Sequence, residues 1–134
     1  TRFTIETMQC IIPDNVDSYV DLFNAVDRPQ FAVHVDPANL ILTPRMIANT
    51  GALIRNYFDR LGSWIVSCHA KDLIVHPKLA LHIDEVRPGL GRMDYRTYLK
   101  EIDKLDREVP LILEHLDTME EYGKAREFIL SQVE

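Results

Sequence analysis

The chain has 134 residues, 46% of them hydrophobic and 27% charged, with a formal net charge of -6. This is the composition of one globular domain able to bury a core, without the bias of a disordered or low-complexity chain. Lys and Arg are scattered on an acidic background, and no run reaches the ~18 apolar residues of a membrane span or has the form of a signal segment, so nucleic acid and membrane are excluded as main partners. A cytoplasmic protein acting on small polar molecules is expected.

Four short apolar runs predict strands over residues 2–6, 31–36, 64–69 and 111–114. Continuous runs of this kind suit a parallel sheet covered on both faces. Between them lie helical patterns. Asp14 or Asn15 caps a helix to Val26 with Val16, Tyr19, Val20, Phe23 and Val26 on one stripe. A second helix spans 44–61, with Pro44 near its first turn and Gly62 as its stop. After the third strand comes an insertion: a turn at 76–78, an extended stretch at 79–86 and a loop at 87–92 with two glycines. Asp94 caps a helix over 95–107, and Thr118 caps a last helix over 119–132. Cys10 and Cys68 both read as core thiols of a reducing compartment, with Cys68 facing away from His69.

The order β-α-β-α-β-insertion-α-β-α repeats one unit four times. Four such units are half of an eightfold barrel, which takes ~250 residues. A small open doubly wound sheet is the alternative, but no glycine-rich phosphate loop follows the first strand. The fold class read from the sequence is therefore α/β, a parallel (β/α)4 half of a TIM barrel forming one domain over 1–134. Such a half is either a fragment or a self-associating unit. The chain opens on Thr1 and enters a strand at once, so further natural sequence is expected ahead of it.

Glu6, Asp36, His69 and Glu114 each stand at or just past the end of a predicted strand, spaced by 30, 33 and 45 residues (6 to 36, 36 to 69, 69 to 114). Strand ends of this kind form the rim where α/β folds place their sites. Three carboxylates and an imidazole converging there make a set of ligands for a divalent cation.

These residues and their surroundings resemble the xylose-isomerase-like TIM-barrel sugar isomerases and epimerases, a group that includes sugar-phosphate isomerases, ketose 3-epimerases and inosose dehydratases. The resemblance is to strands five to eight, the C-terminal half. It is carried by Ile5-Glu6-Thr7, Val35-Asp36-Pro37-Ala38-Asn39, His69-Ala70-Lys71-Asp72, the loop from Pro88 to Asp94, and Leu113-Glu114-His115. It implies that Glu6, Asp36, His69 and Glu114 bind one Mn, Mg, Co or Zn ion. It also implies that Glu6 and Glu114 serve as base and acid when a proton leaves the carbon beside a sugar carbonyl. Dehydration on the same scaffold is the alternative outcome, and a catalytically incomplete half-barrel is another. An abasic-site endonuclease shares the barrel but needs further histidines, and Asn39 occupies one such place.

Asn39 stands where many relatives carry a substrate-touching histidine. Lys71 shares the face of His69, either gripping a substrate oxygen or solvated at the surface. Arg87 and Arg92 in the glycine loop could meet an acidic or phosphorylated substrate. His34 reads as a supporting or core histidine rather than a fifth ligand, His76 and His82 as surface residues, and His115 as facing away from Glu114. The expected partners are a sugar or sugar phosphate and either a second copy of the chain or a missing N-terminal half-barrel.

Overall fold

A computed structural model describes residues 1–133. Strands β1 (Phe3–Glu6), β2 (Phe31–Val35), β3 (Ile65–Ala70) and β6 (Leu111–Leu113) form a parallel sheet in the order β1-β2-β3-β6. Between β3 and β6 the expected insertion is an antiparallel hairpin of β4 (Asp72–His76) and β5 (His82–Val86). The first half of that hairpin was not foreseen, because Leu73-Ile74-Val75 follows β3 with only Lys71 between the two strands.

Helices α1 (Val16–Val26), α3 (Thr50–Leu61) and α4 (Tyr95–Asp103) pack in succession against one another, and α5 (Met119–Leu130) lies against β6. Val33, Val35, Ile65 and Cys68 join Tyr19, Ile54, Tyr57, Leu61 and Tyr98 in one core. Side chains alternate along a strand, so the core positions Val33, Val35 and Cys68 leave His34 and His69 for the opposite face of the sheet. The parallel half-barrel reading holds.

The caps explain where the helices begin. Asn15 forms a capping box with Ser18, its Oδ1 accepting the Ser18 amide at 2.9 Å while Ser18 Oγ accepts the Asn15 amide at 3.1 Å. Asp94 and Thr118 cap as expected. The helix expected over 44–61 is instead two: α2 (Pro44–Ile47), then α3 with Asn49 as its cap, accepting the Ala52 amide at 3.3 Å. An Asn inside an apolar periodicity competes for the backbone and restarts the helix. The helix expected to reach residue 107 stops at Asp103. Cys68 is buried, whereas Cys10, in the loop after β1, is exposed rather than a core thiol.

Candidate metal centre

The rim of the sheet gathers charge in a small buried volume. Asp36 follows β2 directly and is fully buried; its Oδ1 accepts the amides of Ala38 at 3.0 Å and Asn39 at 3.3 Å, which aims Oδ2 the other way. His69 Nδ1 lies 3.1 Å from Glu6 Oε1, 3.4 Å from Asp36 Oδ2 and 2.9 Å from Glu114 Oε1. One ligand atom from each of these four residues falls within 4.8 Å of the others. The structure thus brings together all four residues that the strand-end spacing singled out.

Lys71 is inside the cluster, not solvated at the surface. It is 5% exposed, with Nζ 2.9 Å from Asp36 Oδ2, 2.5 Å from Glu114 Oε1 and 3.9 Å from Glu6 Oε1. Even so, Asp36 Oδ2 and Glu114 Oε1 are buried without an aligned hydrogen bond among the described residues. Proximity without alignment marks an ammonium occupying the middle of a carboxylate cage rather than completing it. Two orphaned buried oxygens, a third carboxylate and an imidazole fit a hard divalent cation.

The charges shift one another. Burial resists ionisation of Asp36, but the His69 ring 3.4 Å from its Oδ2 and the Lys71 ammonium prevail and hold its carboxyl at about 2. Burial and the neighbouring Asp36 raise Glu6. The close Asp36 carboxylate, with Glu114 and Glu6, raises His69 against burial. Burial pulls Lys71 down, yet Glu114 and Asp36 outweigh it and the ammonium is raised overall. His34, packed edge to face on the His69 ring at 4.0 Å, is lowered to about 4, chiefly by burial.

The remaining expected site residues fall at different depths. Asn39 Nδ2 donates to Glu6 Oε1 at 2.9 Å, so it orients a carboxylate of the cluster. Arg87 is turned to α5, its Nε donating to Glu121 Oε2 at 2.8 Å. His115 does not face away from Glu114: Nε2 lies 3.6 Å from Glu114 Oε2, and Nδ1 lies 3.2 Å from Glu85. Strand alternation ends at Leu113, and the left-handed backbone of His115 (φ 57°) swings the ring back. His76 and His82 face each other across the hairpin, with His76 Nε2 2.8 Å from Asp84.

Three supporting features escaped the sequence reading. Buried phenols hold backbone carbonyls of the cluster: Tyr19 donates to Ile5 O at 2.5 Å, Tyr98 to His69 O at 2.9 Å and Tyr95 to Lys71 O at 2.9 Å. Asp72, 1% exposed, accepts the amides of Leu73, Gly89, Gly91 and Met93 at 2.8–3.0 Å and so pins the glycine loop to the start of the hairpin. Gly89 has φ +96°, and a Cβ there would meet the Phe128 ring at 2.7 Å. Beside Asn39 a cleft of about 490 Å³ opens between the loops after β1 and β2 and the hairpin, lined by Met8, Cys10, Ile41, Leu73, Leu81 and Glu85 among others.

No protein-family model matches the chain, and comparison with curated proteins finds no match. Solved structures do match. A xylose isomerase domain protein from Planctomyces limnophilus aligns with a TM-score of 0.75 at 24% identity over 98% of this chain and 45% of its own. A xylose isomerase-like TIM-barrel protein from Mycobacterium smegmatis, in complex with magnesium, gives 0.72 at 17% over 98% and 43%. A D-tagatose 3-epimerase-like protein gives 0.70 at 14% over 98% and 46%. At these identities the likeness is one of fold: this chain has the architecture of the xylose-isomerase-like TIM barrels. It spans less than half the length of each of these three.

Proposed function

We propose that the chain carries the metal centre of a sugar or sugar-phosphate isomerase or epimerase, with Glu6, Asp36, His69 and Glu114 as ligands of one Mn, Mg, Co or Zn ion. The observation that carries this reading is the set of four ligand atoms within 4.8 Å of one another around two buried oxygens that lack an aligned hydrogen bond. A bound divalent ion would supply Lewis-acid stabilisation of the negative charge that develops on substrate oxygens when a proton leaves the adjacent carbon.

The protein's own groups do the rest. Glu6 and Glu114 come from the two outermost strands of the sheet and reach the cluster from opposite sides, so a sugar seated over it would meet both carboxylates. One removes the proton from the carbon beside the carbonyl and the other returns one, to the opposite face of that carbon in epimerisation or to the former carbonyl carbon in isomerisation. Burial raises Glu6, which moves it toward the range useful to a proton carrier. Asn39 holds Glu6 Oε1 in place, and Lys71 stands ready to offset charge gathering on the substrate. The cleft beside Asn39 supports a small polar ligand entering from the side of the hairpin.

Dehydration begins with the same proton removal and differs only in expelling a hydroxyl afterwards. A second reading, a catalytically incomplete half, is favoured by one observation: the chain matches 43–46% of the length of these structures. Ion binding would survive in such a half, while substrate contacts from the other strands would be missing.

Elemental analysis of purified protein tests the centre, with wild type beside His69→Ala and Glu114→Ala and solution mass recorded on the same samples. A stoichiometric divalent metal lost in both variants is expected. A folded wild type that takes up no Mn, Mg, Co or Zn would sink the proposal. Turnover of a panel of ketoses and ketose phosphates then separates epimerisation, isomerisation and dehydration by product.

A further inference from the structure

The cluster is made for a cation, and the space beside it holds nothing for an anion. Three carboxylates and the Lys71 ammonium sum to -2 (three negative, one positive), which one divalent ion cancels. A substrate held at that ion extends toward the cleft beside Asn39, since Asn39 lines the cleft and also donates to Glu6 Oε1. No Lys, Arg or His lines this cleft among the described residues, and its one charged side chain is Glu85. The buried Ile41 and Leu73 give it an apolar wall, and Gln9 and Asn39 add amide groups.

The groups nearby that would ordinarily receive a phosphate are already engaged. Converging amides of a glycine-bearing loop make an anion-binding nest, but here the amides of Gly89, Gly91 and Met93 all donate to the buried Asp72 carboxylate. Arg87 donates to Glu121 Oε2 and to the Pro88 carbonyl. Arg92, in the same loop, does not line the cleft. A second cleft, of about 430 Å3, reaches Arg87 and His115, yet Glu85, Asp117 and Glu121 line it too. A phosphate dianion beside Asn39 would face Glu85 with no cation to pair it, and like charges brought together away from bulk water repel strongly. Sugar hydroxyls meet no such repulsion; Gln9 and Glu85 offer them hydrogen-bonding groups, and the apolar wall suits the C–H face of a sugar.

We infer that the end of the substrate that enters the cleft beside Asn39 is uncharged, which makes the substrate a free ketose and not a terminal sugar phosphate. This rests on the metal-centre reading above and narrows it.

Cys10 lines the cleft and is exposed, whereas Cys68 is buried. Alkylation of Cys10 by iodoacetamide, read by peptide mass spectrometry, therefore reports occupancy of the cleft without turnover. The full chain loaded with Mn2+ is alkylated in the presence of D-ketohexoses or their terminal phosphate esters. At least one free ketose should slow alkylation, with half-protection at a concentration roughly tenfold or more below that of its phosphate ester. Leu81→Arg, which adds a cation at an exposed position of the cleft, should bring the ester level with the free sugar; an unchanged ratio in that folded variant overturns charge as the basis of the selection. A phosphate ester that protects wild type as well as its free sugar overturns the inference and leaves the metal centre standing. Alkylation that no ketose slows overturns the cleft as a place for substrate. A folded wild type that takes up no Mn2+ overturns the centre itself and this inference with it. The wild-type comparison decides the matter even where the variant fails to fold.

Discussion

Lys71 and the three carboxylates around it hold one another in place, and a divalent cation would compete with the ammonium for the same oxygens. In Lys71→Met the metal-free protein is left with uncompensated buried charge, so a loss of about 3 kcal/mol in urea unfolding is expected. Mn2+ should restore much of it and should bind more tightly than to wild type; unchanged affinity would show that the ammonium and the ion do not share a position. The histidines respond to pH in opposite senses. His34 has a folded value of about 4 against ~6.5 unfolded, so its contribution is present above ~6.5 and is lost as pH falls toward 4. His69 is raised, so its contribution is present below ~6.5 and is lost as pH rises through its folded value. Asp36, held at about 2, contributes above ~3.9 and loses that contribution only toward pH 2. Metal-free wild type should therefore lose stability relative to His34→Gln between pH 7.5 and 4.5, and a constant difference across that window would contradict the assignment. The four ligand candidates were legible in the sequence because each stands at or just past a strand end. Lys71 was half legible: alternation placed it on the face of His69, but only packing shows that it is buried. The carbonyl-holding tyrosines were not legible, since a phenol reaching a strand 14 to 29 residues away leaves no local pattern.

At the scale of elements, local chemistry was legible wherever a cap or a turn residue acts on its neighbours. Asn15, Asp94 and Thr118 start their helices as their types require. The interruption at Asn49 was hidden because apolar periodicity runs through it, and the first strand of the hairpin was hidden because it follows β3 after one residue and Asp72 finds its partners 17 to 21 residues onward. That carboxylate is the tie between β4 and the glycine loop. Asp72→Ala should cost about 3 kcal/mol, since it strands several buried amides at once. Hydrogen exchange at Gly89, Gly91 and Met93 should accelerate more than exchange in β2; equal protection in the variant would show that the loop is held by other contacts. Asn15→Ala should cost about 1 kcal/mol in thermal or urea unfolding through loss of the capping box, leaving Mn2+ binding unchanged.

The whole molecule is a sheet with two open sides. β1 and β6 each pair along one edge only, and Phe3, Ile5 and Ile112 on these strands are 50%, 37% and 42% exposed. Parallel edges with apolar side chains invite further strands. Sedimentation velocity should show association that grows with concentration and falls in Ile5→Lys/Ile112→Lys; a concentration-independent monomer would show that the edges are silent. The repeat interval made parallel βα units readable, and the lack of a glycine-rich loop after β1, with polar residues at all four strand ends, favoured consecutive strands over a doubly wound order. The depth of the cluster was not readable, since it depends on how far helices packed behind the sheet draw the strand ends inward. That dependence has a consequence for variation among proteins built this way. Tyr19, Tyr95 and Tyr98 bond no side chain of the four candidate ligands, yet they hold carbonyls of the peptide groups beside them. Substitutions behind the sheet can therefore shift the four candidate ligands relative to one another while each stays the same, and would retune the affinity of the proposed centre without altering the residues around its mouth.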